Sequence, residues 1–220
     1  MAGDGGLTEQ EVKLTAPDGA TLTRLMQDPE VVAAGGGLDW RSRRLESTYL
    51  DTPDRALLAH RYGFRFRRKV ETNEWLVCLK GEGRLVDGFS SRREWEQKIP
   101  APVDRLSLLP DGPLRKLVLS VAPGGELLVP LVETDFMRRT MMLTLTEHCL
   151  VELALDQGEI RAGGKIFPLF EVELEKKSGA VEPVLEFAGR LRQRHGLRAS
   201  EHSKFAQGLR LLNERLGLFG

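Results

Sequence analysis

Residues 171–175 read Glu-Val-Glu-Leu-Glu, and residues 63–67 read Gly-Phe-Arg-Phe-Arg. In an extended strand, successive side chains point to opposite faces. The first stretch therefore carries Glu171, Glu173 and Glu175 on one face, with Val172 and Leu174 on the other. The second groups Arg65 with Arg67, opposite Phe64 and Phe66. A third, Glu9-Gln10-Glu11-Val12-Lys13, gathers Glu9, Glu11 and Lys13. A single polar face of this kind is ordinarily just solvated. Here the ionic face recurs on several strands and its sign changes between them. A sheet closed on itself would turn such faces inward, giving a wet, charged lumen and an apolar outside covered by helices.

Outward from these stretches, the same alternation extends over residues 9–15, 43–51, 63–70, 74–80, 90–99, 128–145, 149–156 and 167–177, which are predicted as strands. Turn signals separate them: Pro17-Asp18-Gly19, Gly35-Gly36-Gly37, Gly81-Glu82-Gly83, Pro110-Asp111-Gly112-Pro113 and Pro123-Gly124-Gly125. Asp51-Thr52-Pro53 reads as a cap and a first-turn proline, predicting a helix to His60. Short helices are also predicted over 103–109 and 113–120. Two better ones close the chain. Val184, Leu185, Ala188 and Leu191 make an apolar stripe over 182–195, stopped by Gly196. Phe205, Leu209, Leu212 and Leu216 make another over 201–216, entered by Ser200 with Glu201 in the first turn. Nothing suggests parallel βαβ units. The predicted class is α+β, mostly antiparallel β with accessory helices, as a single domain over residues 1–220.

The 32 basic and 32 acidic side chains cancel, which argues against a bulk nucleic-acid binder. Hydrophobic residues at 41% and charged residues at 29% suit a globular protein. No apolar run approaches the roughly 18 residues of a membrane span. The start, MAGDGGLTEQEVKL, has neither the basic nor the apolar region of a signal peptide. Cys78 and Cys149 are expected to be reduced core residues of a cytoplasmic protein, with no disulfide and no zinc pattern. Trp40, Trp75 and Trp95 are expected to pack. Neutrality hides a segregation. Residues 41–69 hold nine basic and three acidic side chains, whereas residues 147–177 hold seven acidic and four basic.

Carboxylates two residues apart on one face repel unless a cation lies between them. Glu9 with Glu11, and Glu171 with Glu173, therefore suggest a hard divalent metal, Mg²⁺ or Mn²⁺. Paired arginines suggest a multiply charged oxyanion, because guanidinium forks match phosphate geometry. Together these are the parts of phosphoryl transfer. There is no Walker loop, HExxH, GxSxG or Cys-His arrangement, and His60, His148, His195 and His202 form no motif.

Set in order along the chain, these segments resemble the CYTH domains, or triphosphate tunnel metalloenzymes. Glu9-Gln10-Glu11-Val12-Lys13 matches the ExExK signature of that family. Thr48-Tyr49-Leu50-Asp51-Thr52-Pro53-Asp54 resembles its YYDTPD segment, and Gly63-Phe64-Arg65-Phe66-Arg67-Arg68 its LRxRR strand. Trp75 to Lys80 is similar to the strand ending in a tunnel lysine. Arg92, Glu94 and Glu96 fit R-x-E-x-E, and Thr134-Asp135-Phe136-Met137-Arg138 fits the later arginine strand. Ala154-Leu155-Asp156-Gln157-Gly158-Glu159 is close to the bacterial inorganic-triphosphatase version. Glu171 to Glu175 is the late ExE strand, and Ser203-Lys204 opens the last helix.

The resemblance implies an eight-stranded closed β-barrel tunnel that holds a triphosphate. By position, Lys13, Arg65, Arg67, Lys80, Arg92, Arg138 and Lys204 would grip phosphates. Glu9, Glu11, Asp156, Glu171 and Glu173, with Glu94 or Glu96, would hold Mg²⁺ or Mn²⁺. Glu9, Glu11 and Lys13 would form the catalytic centre, with no general base assigned. Glu46 stands where some members carry a basic residue, with Arg43 and Arg44 nearby, and Arg138 is preferred to Arg139. Glu175 is either at the tunnel mouth or structural. Arg68 and Lys69 are expected on the surface, Lys176 and Lys177 at a solvated strand end, and Asp51 as a helix cap. Some members continue into a helical CHAD domain that these 220 residues do not contain.

The implied activity is metal-dependent hydrolysis of inorganic triphosphate by a cytoplasmic monomer or homodimer, with no nucleic-acid or membrane partner. Thiamine or nucleoside triphosphate hydrolysis, a class-IV-type adenylate cyclase, and a non-catalytic polyphosphate binder are the alternatives.

Overall fold

The alternation of ionic and apolar residues builds strands long enough to close on themselves. The computed structural model describes residues 6–81 and 83–215. In chain order the elements are β1 (Leu7–Thr15), α1 (Gly19–Met26), α2 (Pro29–Gly35), β2 (Arg41–Asp51), α3 (Ala56–Ala59), β3 (Gly63–Lys69), β4 (Glu74–Lys80), β5 (Arg84–Val86) and β6 (Phe89–Ile99). A 3₁₀ turn (Leu106–Leu108) follows, then α4 (Pro113–Val121), β7 (Val129–Thr146), β8 (Cys149–Ala162), β9 (Lys165–Ser178), α5 (Glu182–His195), β10 (Arg198–Ala199) and α6 (Lys204–Arg215).

Eight strands pair antiparallel in the order β1-β9-β8-β7-β2-β3-β4-β6, and β6 pairs back onto β1, with Leu7 opposite Glu94 and Val12 opposite Phe89. The closed eight-stranded barrel is thus present, and closure removes the edges of those eight strands from aggregation. β5 and β10 are short ribbons added to β6 and β1. The turn between β5 and β6 approaches β1 so closely that a Cβ on Gly88, where φ is +84°, would lie 2.5 Å from the Lys13 carbonyl.

The main apolar layers lie outside the barrel. Val12, Leu14, Leu153, Leu155, Val172 and Leu174 on the outer faces of β1, β8 and β9 pack under α1, α2 and α5. Phe64, Phe66, Val77, Leu79 and Trp95 on β3, β4 and β6 pack under α3, the 3₁₀ turn and α4. A third cluster, with Leu45, Tyr49, Phe136 and Phe205, sits where α6 meets the barrel. The inward faces carry most of the barrel's charges, with a few apolar residues such as Leu45, Tyr49 and Leu76 among them. Trp75 and Trp40 pack against these layers as expected.

Helices differ more from the sequence reading than strands do. α1 and α2 were not predicted. Their starts are capped by Asp18, which accepts from the Thr21 amide at 2.7 Å, and by Asp28, which accepts from the Glu30 amide at 2.9 Å with Pro29 in the first turn. In the sequence Pro17-Asp18-Gly19 reads as a turn, and Asp28-Pro29 belongs to no predicted element. The helix expected from Asp51 is only α3. Asp51 does cap it, accepting from the Leu57 and Leu58 amides at 2.9 and 3.0 Å. Residues 103–109 form only the 3₁₀ turn. α4 and α5 match, with Gly196 in the left-handed region, but Phe187 replaces exposed Leu185 in the buried stripe. α6 starts at Lys204, where the Ser203 hydroxyl accepts from the Ala206 amide. Ser200 instead donates its hydroxyl to the His202 carbonyl. Leu216 lies outside the described residues. Among them, no helix is long and apolar enough to cross a membrane.

Candidate functional site

The barrel encloses a cavity of about 1220 Å³ lined mainly by the inward faces of its strands. Two walls of different character face each other across it.

The first wall comprises β1, β6, β8 and β9, joined by Lys80 at the end of β4, Arg138 from β7 and Lys204 from the start of α6. Glu9 accepts from Lys80 Nζ at 2.9 Å and from Arg92 Nε at 3.0 Å, and Arg92 also donates to Glu11 at 2.6 Å. Lys13 Nζ lies 2.6 Å from Glu173 and 3.1 Å from Glu11. Arg138 forks onto both oxygens of Asp156, at 2.7 and 2.6 Å, and reaches Glu173. Lys204 Nζ sits 2.8 Å from Asp156 and 2.9 Å from Glu173, and also contacts Glu171. Lys80 further pairs with Glu94 at 3.2 Å.

Burial tends to neutralise these groups, and their neighbours hold them charged. Against the pull of desolvation, Lys80, Arg92 and Lys13 keep Glu9 far below the usual carboxylate range. Arg138 does the same for Asp156 and Glu173 with Lys204, and Lys13 joins them at Glu173. The carboxylates in turn raise Lys13 and Lys204 above an ordinary lysine despite their burial. Glu171 is the exception. Burial, reinforced by Glu173, outweighs Lys204 and Lys13 and pushes it up to about 7. Its Oε2 is buried with no hydrogen-bond partner. Ligand oxygens of Asp156, Glu171 and Glu173 lie within 4.8 Å of one another. That buried trio with an unsatisfied oxygen fits a hard divalent cation. Among the described residues Glu9 and Glu11 belong to no such trio, and both are engaged by cations.

The second wall is β2 and β3. Arg65 donates to the Tyr49 hydroxyl at 3.1 Å, stands 3.8 Å from Glu94, and has a buried Nε without a partner. Arg67 donates to Ser47 at 3.2 Å, and among the described residues no carboxylate pairs with it. Burial, then Arg65 and Arg138, depress its pKa. Against its burial, Arg65, Arg67 and Lys204 pull the Tyr49 hydroxyl below its ordinary value.

Every sequence-predicted site residue thus lies on the lumen side, and most are linked by ion pairs. Register settles the question left at Glu46. Arg43 lines the cavity opposite Arg138 across β2 and β7, whereas Arg44 and Glu46 face outward with Asp135 and Arg68. Two expectations are corrected. Lys69 is not on the outer surface; it shares the inward parity of Arg65 and Arg67 and lines the cavity beside Glu74, while Arg68 does face out. Cys78 is buried and reduced but not in the apolar core. It shares the face of Leu76 and Lys80, donates to Glu96 at 3.2 Å, and burial raises its thiol pKa. Cys78, Glu94 and Glu96 form a second group of possible ligand atoms within 4.8 Å. Glu175 pairs with Lys177 at 2.7 Å, both lining the cavity; at the strand end Lys177 is exposed and Lys176 half-buried. Lys69 and Cys78 were legible in principle, since each follows from strand parity alone, whereas Arg43 needs the pairing of β2 with β7.

Comparison with known proteins agrees with this geometry. The sequence model of the CYTH domain family matches residues 7–209. An inorganic triphosphatase of Haemophilus influenzae is 32% identical over 180 residues, which is 82% of this chain and 49% of that protein. The chain therefore spans about half the length of that relative. A Hippeastrum protein, described as an adenylyl cyclase that reveals a dominant triphosphatase activity, superposes with a TM-score of 0.68 at 22% identity, covering 92% of this chain and 95% of that one. A Bacillus halodurans structure assigned as an adenylate cyclase superposes with a TM-score of 0.57 at 15% identity, covering 90% and 95%. At these identities the two structures carry the fold alone.

Proposed function

The chain belongs to the CYTH domain family, and from that premise we propose that its lumen hydrolyses a triphosphate, with inorganic triphosphate as the first substrate and Mg²⁺ or Mn²⁺ as the cofactor. One observation carries the reading: the buried carboxylate trio with its unsatisfied Glu171 oxygen belongs to the same barrel interior as Arg67, which among the described residues has no carboxylate partner, and Arg65, whose Nε is buried without a partner.

Asp156, Glu171 and Glu173 would hold the metal, with Glu9, Glu11 and Glu94 available at the other end of the acidic wall. When bound, the metal supplies charge neutralisation on the phosphate oxygens and orientation of water. Arg43, Arg65 and Arg67 offer donors to phosphate oxygens with little competition from protein anions. Lys13, Lys80, Arg92, Arg138 and Lys204 are held in place by carboxylates. Each exchanges a carboxylate oxygen for a phosphate oxygen as substrate enters, so they arrive aligned and already desolvated. Lys13, between Glu11 and Glu173, is placed to orient the attacking water. Water adds at the terminal phosphorus, the bridging P–O bond breaks, and pyrophosphate, orthophosphate and a proton leave.

The test incubates the protein with inorganic triphosphate, thiamine triphosphate or ATP, each with Mg²⁺ or Mn²⁺, and measures orthophosphate and cyclic nucleotide. Fastest metal-dependent orthophosphate release from inorganic triphosphate is expected. Cyclic nucleotide with pyrophosphate from ATP would assign a cyclase instead. Binding with no phosphate release from any of the three would end the hydrolase reading.

A further inference from the structure

Phe136 is an apolar residue on the ionic face of β7, between Thr134 and Arg138. Three cations from three different elements gather on its ring. The Arg67 guanidinium carbon lies 6.0 Å from the ring centroid, that of Arg138 5.6 Å, and Lys204 Nζ 5.3 Å. Other cation–ring contacts among the described residues bring one cation to one ring, as Arg68 to Trp75, Arg93 to Trp95 and Arg190 to Phe187. The ring is 2% exposed and is held tightly from behind. Gly158 stands opposite it on β8, where an added Cβ would come within 2.5 Å of the Phe136 Cα and Cβ.

We propose that Phe136 is a positioning residue, the neutral platform on which Arg67, Arg138 and Lys204 are held convergent on the phosphates of the substrate. The proposal rests on the triphosphatase reading. A ring face attracts cations through its quadrupole, more strongly when water is excluded. Unlike a carboxylate, it does not ionise, does not bind a metal and does not compete with phosphate for the same donors. Among the described residues Arg67 has no carboxylate, so the ring and Ser47 are its partners there. Arg138 and Lys204 share carboxylates with the proposed metal site, and the ring still holds them when those carboxylates turn to the metal. Next to it, Arg65 lies 5.7 Å over Tyr49, whose ring stacks on Phe205 at 5.0 Å. Aromatic faces thus back the cations that face the substrate.

The test replaces Phe136 with Leu and, by site-specific incorporation, with phenylalanines bearing one, two and three ring fluorines. Fluorination drains the ring face while nearly preserving shape. Phe136→Leu is expected to raise KM for inorganic triphosphate about tenfold to hundredfold with kcat changed far less. KM should climb stepwise with fluorine number while the melting temperature stays level. KM independent of fluorination would overturn the proposal. A second readout needs no substrate. In the metal-free protein, NMR should find the Lys204 methylene protons beside Nζ shifted upfield by the ring current and restored in Phe136→Leu. Unshifted Lys204 protons would overturn the proposal even if the protein hydrolyses triphosphate. Shifted protons in a protein that hydrolyses none of the triphosphates would keep the platform and refute only the activity.

Discussion

The two walls of the lumen solve the problem of buried charge in opposite ways. On the first wall, which Arg138 joins from β7, each tunnel cation has carboxylates at hydrogen-bond distance, as Arg138 has Asp156 and Glu173. On β2 and β3, Arg67 has a serine hydroxyl, a phenyl ring and no carboxylate among the described residues. Removing one partner of a buried ion pair is costly because it strands the other, whereas removing a cation without a counter-ion relieves desolvation. The first wall is therefore integral to the empty fold, and Arg67 on the second is a standing cost that an added anion would offset. A fold selected for stability alone would have no use for the second wall.

Substitution should break that contrast or sharpen it. The largest expected effect is on Arg138→Met, which leaves Asp156 to Lys204 alone and Glu173 to Lys13 and Lys204, and should lose about 3 kcal/mol in urea unfolding. Arg67→Met should be as stable as the parent or more so, while raising KM for triphosphate. Equal destabilisation by the two would erase the difference between the walls. Next, Glu9→Gln or Lys13→Ala should lower kcat about 100-fold while unfolding stays cooperative. Near-full activity in either would remove that end of the acidic wall from the catalytic centre.

A pH effect of intermediate size belongs to Glu171. Its folded value of about 7 lies above that of an unfolded glutamate, so between the two the folded protein binds more protons. In metal-stripped protein, this group makes stability fall as pH rises from about 5 to 7, by up to roughly 1.4 kcal/mol per pH unit. Glu171→Gln cannot ionise and should flatten that slope in urea titrations across the window. Parallel slopes would mean that Glu171 is ionised throughout. The smallest effect separates neighbours. Arg43→Ala should raise KM by roughly tenfold, while Arg44→Ala, exposed and facing Asp135, should change neither KM nor stability measurably. The reverse result would invert the assigned parity of β2.

All eight barrel strands were legible because one rule, period two, governs both the apolar outer face and the ionic inner face. Glu171, Glu173, Arg65 and Arg67 show it without any knowledge of the fold. α1 and α2 were not legible, because Asp18 and Asp28 cap helices with the residue types that also build turns. What separates the two is whether Leu22, Leu25 and Val31 find a sheet to cover. Arg43 was hidden by a local resemblance that pointed at Glu46; only pairing with Arg138 on β7 decides which of them faces in. Cys78 was placed in the core because its neighbours Val77 and Leu79 are apolar, although strand parity puts it with Lys80. Phe136 reads only as part of the arginine strand, with no role of its own. Its significance depends on Arg67 and Lys204, which lie 69 and 68 positions away and meet it only when the barrel closes.

The division of labour between the walls is tested most directly by diffraction from crystals grown with Mn²⁺ and a non-hydrolysable imido analogue of triphosphate. The predicted result is an anomalous manganese peak in contact with Asp156, Glu171 and Glu173, and phosphate density against Arg65 and Arg67. Manganese elsewhere in the lumen, or phosphates that leave the β2–β3 arginines untouched, would contradict it.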